Sequence, residues 1–166
     1  MNEKQAPERW QLPTDAVRRD VRELIANARH AAIATLAPDT GAPQCTRVGL
    51  ATLPDGTPLI FCSALAAHTP ALLADPRCSL LIGEPGKGDP LAHPRITLSC
   101  EAELIDPGSE TVAEARTSYL SAHPKAQLYA DLPDFRFFRL VPSEGRYNGG
   151  FGKAYVFKPD DLITAE

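Results

Sequence analysis

The sequence contains no CxxC pair, no HxxxH pair, no run of basic residues and no apolar stretch near the roughly twenty residues a membrane span needs. It has one methionine, one tryptophan and only 7% aromatics. Each shortage excludes a class of function. Without paired cysteines or histidines at ligand spacing, a protein-bound metal is not expected. Without a basic block, and with a net charge of −4 and a pI near 5.6, a nucleic-acid role has no support. No Walker loop, no GxGxxG after a strand and no GxSxG elbow occurs. The polar start MNEKQAPERWQLP lacks a signal-peptide core, so the expected location is the cytoplasm.

Proline is abundant instead: sixteen in 166 residues, which argues for many turns and against a bundle of long helices. Hydrophobic residues make up 43% and charged residues 23%, values ordinary for one globular domain. The four cysteines, Cys45, Cys62, Cys78 and Cys100, each fall in a strand-like segment and read as buried small hydrophobes.

Residues 1–13 read as a loose N-terminal arm, and 14–166 as a single domain. Thr14 caps an expected helix over 15–29, with Val17, Val21, Leu24, Ile25 and Ala28 on one stripe. Strands are expected at 31–36, 44–52 and 58–62, joined by turns at 38–41 and 54–57. A short helix follows, with Thr69 as cap and Pro70 in its first position. Further strands are expected at 78–82, 95–105 and 135–141, with a last pair of segments between 145 and 157. Ser109 is expected to cap a helix over 110–122. Five to seven strands with short intervening helices give an α+β, mainly β class, and a barrel.

One segment carries an anion-binding pattern. Ser63–Thr69 links a strand end to a capped helix and holds Ser63, His68 and Thr69 as donors. Arg47, in the middle of an otherwise apolar strand, needs an anionic partner or an exit to solvent. Gly149-Gly150-Phe151-Gly152 serves equally as a bulge or tight turn. No residue stands out as an obligatory acid or base, so catalytic residues stay unassigned; His68 and Tyr147 are candidates by type.

The stretches AAIATL, GAPQCTRVGLATLPDGTPLIFCSALAAHTPALLADPRCSLLIGE, PRITLSCEAELI, YLSAHPKAQLYADLPDFRFFRLVP and RYNGGFGKAYVF cover most of residues 29–158. Together they resemble the pyridoxamine-phosphate-oxidase-like FMN-binding split β-barrels, in particular the small branch that includes haem-utilization proteins. The resemblance implies a split barrel with short flanking helices and a homodimer with FMN at its interface. It places the flavin phosphate against Thr46, Arg47, Val48, Gly49, Phe61, Cys62, Ser63, His68 and Thr69. It sets Arg95 facing the ring and brings Gly150, Phe151, Gly152 and Lys153 from the partner chain. Two departures stand out. The Ser-Arg-Lys phosphate clamp of the oxidases is replaced here by Ala66-Ala67-His68, and their late arginine-histidine substrate signature is absent. The resemblance therefore implies an FMN-dependent oxidoreductase of unknown substrate. The alternatives are haem binding or breakdown on the same barrel, a non-enzymatic flavin-binding module, or use of the deazaflavin F420.

Overall fold

The structure is a computed structural model, and it describes residues 10–164. Eight strands are present: β1 (His30–Leu36), β2 (Pro43–Gly49), β3 (Ala51–Thr52), β4 (Pro58–Ser63), β5 (Arg77–Ile82), β6 (Arg95–Leu104), β7 (Phe135–Asn148) and β8 (Ala154–Phe157). Four short helices accompany them: α1 (Asp15–Asn27), α2 (His68–Ala74), α3 (Thr111–Ala122) and α4 (Pro159–Leu162). All ladders are antiparallel, in the order β2-β1-β5-β6-β7-β4-β3, with β8 added to β7. This is the mainly-β split barrel expected.

The alternation of side chains sets the inside. Ala31, Ile33, Val48, Cys78, Leu80, Ile82, Ile96, Leu98, Cys100 and Leu140 point into one core, closed at one end by Val21 and Ile25 of α1. Thr14 caps α1 as expected, its Oγ1 accepting from Val17 N at 3.3 Å. A second core lies on the other side of β4 and β7. There Phe61 stacks on Phe137 with centroids 4.2 Å apart, under Tyr119 and Ala115 of α3.

Several expectations are corrected. The strand expected over 44–52 breaks at Leu50, because β2 pairs with β1 while β3 pairs with β4. Leu50 turns between the two ladders, its amide donating to Arg29 O at 3.0 Å. The late segments expected at 135–141 and from 145 fuse into one fourteen-residue strand. Pro142 is tolerated there because the register against β6 shifts between Ser99 and Cys100, which leaves Ser143 as the extra residue of a bulge. Gly145 continues the strand where a Cβ would lie 3.1–3.2 Å from Ile96, Leu98 and Phe157 side chains.

Neither Thr69 nor Ser109 is a cap. α2 starts two residues earlier, at His68, and Thr69 Oγ1 donates back to Ser63 O at 2.6 Å. Ser109 Oγ closes its own turn by donating to Asp106 O at 2.7 Å, and α3 follows from Thr111. Of the arm expected over 1–13, residues 1–9 lie outside the described residues. Gln11 is not loose: its amide donates to Ala154 O and its carbonyl accepts from Val156 N. Cys62, Cys78 and Cys100 are buried as expected, whereas Cys45 is exposed, because β2 is an edge strand and Cys45 faces away from the core.

Gly83, between β5 and β6, has a φ of +119°, and a Cβ added there would lie only 2.4 Å from Pro94 O. Gly41 has a φ of +69° and open space around it. Gly83→Ala is expected to cost about 2–3 kcal/mol, lowering Tm by roughly 4–12 °C. Gly41→Ala is expected to cost about 1 kcal/mol. Thermal unfolding of the two variants side by side checks both values, and equal losses would contradict the close-approach argument.

Candidate functional site

The residues expected to form one site fall into two groups within the chain. Ser63 pairs with Phe135 at the start of β7, whereas Arg95 pairs with Asn148 at its end. The two groups are therefore at opposite ends of the longest strand.

The first group surrounds the Ser63–Thr69 loop. Thr46 Oγ1 and His68 Nδ1 share a hydrogen bond of 2.9 Å. His68 is buried, and burial lowers its pKa, so the ring is held neutral. Most of the other donors of the loop are taken up internally, the Ala67 and His68 amides at the start of α2 excepted. Ser63 Oγ donates to Asp134 Oδ2 at 2.9 Å and accepts from Leu65 N at 3.2 Å. The Ala64 amide donates to Asp134 O, that of Ala66 to Ser63 O, and that of Thr69 to Ala66 O.

This arrangement is a poor receptor for a phosphate dianion. The Ser63 proton already serves a carboxylate, and that carboxylate stands among the groups that would receive the anion. A neutral histidine adds no charge. The loop's rim is apolar, with Ala64, Leu65 and Ala67 all exposed.

The remaining residues of this group contribute less than their residue types imply. Val48 and Cys62 point into the barrel core. Phe61 belongs to the aromatic core under α3. Gly49 is roofed by α3, since a Cβ there would lie 2.4 Å from Tyr119 Oη. Arg47 is exposed on the outer face of β2, opposite to Thr46. Among the described residues Arg47 makes no ion pair.

The second group is a corner built from two turns. Arg95 Nη1 donates to Leu91 O at 3.0 Å and to His93 O at 3.2 Å, so it braces the turn at Pro90–Ala92. The Gly149–Lys153 turn lies against it so closely that a Cβ on Gly150 would sit 3.0 Å from Ala92 O. Gly150 and Gly152 have φ of +106° and +72°, and Asn148 Oδ1 accepts from Gly150 N at 3.0 Å. The turn projects Phe151 fully into solvent, with Gly152 and Lys153 exposed beside it.

Between the groups runs the outer face of the sheet. One row across it reads Arg47, Ala32, Leu81, Thr97 and Arg146; the next reads Cys45, Ala34, Ser79, Ser99 and Glu144. Three features were not anticipated: Asp134, and the buried Thr35 Oγ1 and Gln44 Oε1, neither of which has a hydrogen-bond partner among the described residues. Gln44 lies across from Thr35 and two positions before Thr46, hence on the same face. That i, i+2 spacing was available as a signal. Asp134 lies 71 residues from Ser63 and offered none. Among the described residues, no cluster of three or more His, Cys, Asp or Glu could hold a metal ion.

Burial raises the Cys62 and Cys78 thiols to about 12 and raises Cys100 as well. A disulfide reagent applied to the native protein at pH 8 is expected to label one thiol per chain, at Cys45, and all four only after denaturation. Labelling that persists in Cys45→Ser would contradict the burial of the other three.

Comparison with known proteins gives the lineage. The family described as pyridoxamine 5'-phosphate oxidase matches residues 17–149. The chain is similar to the non-canonical heme oxygenase HOZ of Arabidopsis thaliana chloroplasts: 40% identical over 118 residues, 70% of this chain and 35% of HOZ. It is 27% identical over 107 residues to heme oxygenase HutZ of Vibrio cholerae, covering 63% and 61% of the two chains. The solved structure of a heme binding protein from Mycobacterium smegmatis superposes with a TM-score of 0.80 at 31% identity, covering 92% of this chain and 61% of that one. The chain thus spans less than two thirds of each of these three relatives. It belongs to the pyridoxamine 5'-phosphate oxidase-like split-barrel family, in its haem-utilization branch.

Proposed function

We propose that this chain is a haem-binding protein, an oxidoreductase acting on the macrocycle it holds, and that it works as a two-fold homodimer. The observation that carries this reading is the Ser63–Thr69 loop. Its hydroxyls and most of its amides are satisfied internally beside Asp134, which disfavours a flavin phosphate. Its exposed rim of Ala64, Leu65 and Ala67 favours the apolar face of a planar macrocycle. The names of HOZ, HutZ and the mycobacterial protein support the same ligand. Bound haem iron would supply the oxygen chemistry, with the protein setting its ligand, its burial and its access.

The dimer follows from the separation of the two groups. Residues at opposite ends of β7 join one ligand only if a second copy brings its Gly149–Lys153 turn to the Ser63–Thr69 loop of the first. Phe151 would then cover the macrocycle. Arg47 and Lys153, neither of which makes an ion pair among the described residues, would meet its carboxylates. The outer sheet face, with small residues around Leu81, would be the contact surface.

FMN remains the second reading because the family match over residues 17–149 is to pyridoxamine 5'-phosphate oxidase. Haem and FMN, each added in excess and then removed by gel filtration, separate the two. The account expects about one haem per chain and no retained flavin. Retained flavin at one per chain, with haem eluting free, would overturn it. Sedimentation is expected to give twice the 17.9 kDa chain mass. Leu81→Glu, which sets like charges across the two-fold axis, is expected to give monomers that no longer retain haem. A Leu81→Glu dimer with full haem binding would contradict the assigned surface.

A further inference from the structure

We infer that the cavity between α1 and the turn after β5 binds a small organic ammonium ion carried on an apolar body. The cavity shares no residue with the Ser63–Thr69 loop or the Arg95–Gly150 corner, and the inference does not depend on the ligand proposed for them.

The cavity has a volume of about 650 Å³, in the range of small-molecule sites. It opens where α1 meets the barrel. Leu24 and Ala28 of α1 line it and also pack against the barrel core. Gly83 and Pro94, from the segment joining β5 to β6, line it from the other side. That side is fixed in place, because the Gly83 backbone passes so close to Pro94 O that a Cβ would not fit.

Tyr147 of β7 supplies the polar group. The residue is only 8% exposed, yet its Oη has no hydrogen-bond partner among the described residues. The side-chain atoms sealed from solvent without a partner are Thr35 Oγ1 and Gln44 Oε1 among the described residues, so the Tyr147 hydroxyl reaches the cavity. Burial, and then the nearby Asp20 carboxylate, raise its pKa. It is a neutral phenol at pH 7, able to accept from an ammonium N–H and to donate to a carboxylate.

Charge selects the sign of the ligand. Asp20 and Glu23 lie one turn apart on α1, and neither makes an ion pair among the described residues. Glu84 lines the cavity from the turn after β5, 2.8 Å from His30 Nε2. The lining guanidinium, that of Arg29, is committed to the end of α1, donating to Ala26 O at 3.0 Å and to Ala28 O at 3.3 Å. An anion would face these carboxylates, and a neutral apolar molecule would leave the Tyr147 hydroxyl covered without a partner. An ammonium satisfies both, with its body against Leu24, Ala28 and Pro94.

The test titrates phenethylamine into the full-length protein, with phenethyl alcohol as the neutral isostere and hydrocinnamate as the anion. Calorimetry reads affinity, and backbone amide NMR reads location. The inference expects saturable binding of about one phenethylamine per chain, with shifts at Leu24, Gly83 and Tyr147. The alcohol and the anion should bind at least about tenfold more weakly. Tyr147→Phe should weaken the amine by about tenfold. Asp20→Asn with Glu23→Gln should weaken it by about 3–10-fold, and added salt should weaken it in wild type. Equal affinity for amine and alcohol, shifts confined to other residues, or no saturable binding of the amine would overturn the assignment. So would wild-type affinity in the Asp20→Asn, Glu23→Gln variant, whose exposed positions keep the test open if Tyr147→Phe does not fold.

Discussion

Strand β7 is the constraint on which the rest depends. It pairs with β6 along one edge, and its other edge is shared by β4 near its start and β8 near its end. A strand of fourteen residues is long for a globular domain, and its continuity needs two local devices. The bulge at Ser143 accommodates Pro142, and Gly145 lets the backbone pass close to Ile96, Leu98 and Phe157. Because β7 runs unbroken, the Ser63–Thr69 loop and the Arg95–Gly150 corner are held apart. The division of the candidate site is thus a consequence of strand pairing, and a second chain is the simple way to reunite its parts.

Hydrogen-bond satisfaction then decides what the loop can receive. A strand end leading to a helix start looks like an anion cradle only while its donors are free. Here Thr69 turns back to the Ser63 carbonyl, Ser63 turns to Asp134, and the amides between them close the loop on itself. What is left open, beside the Ala67 and His68 amides, is the apolar rim of Ala64, Leu65 and Ala67, which suits the face of a macrocycle better than a flavin phosphate.

Much of the fold was legible in the sequence because alternation and turn residues are local signals. The hairpins over 31–62, the α1 stripe with its Thr14 cap and the strand at Cys78–Ile82 all follow from them. What was not legible depended on pairing. The break at Leu50 arises because two neighbouring segments belong to different ladders, and the fusion of β7 arises because a bulge absorbs Pro142. The same holds at the site. Ser63, His68 and Thr69 were identifiable as polar residues at a strand–helix junction, and Thr46 came from the family resemblance. The face occupied by Arg47, the burial of Val48 and the arrival of Asp134 are tertiary outcomes. They change the chemistry of the loop without changing its composition.

The central claim is that each ligand site is shared between two chains, and mixed dimers test it most directly. One parent carries Leu65→Asp in the loop rim; the other carries Phe151→Asp with Lys153→Glu. Each alone should retain no haem at low concentration. After subunit exchange, half of the dimers pair unlike chains, and each of these holds one intact site of two. The account predicts recovery of about a quarter of the wild-type haem capacity. No recovery after proven exchange, or full capacity in either parent, would contradict a site built across the interface.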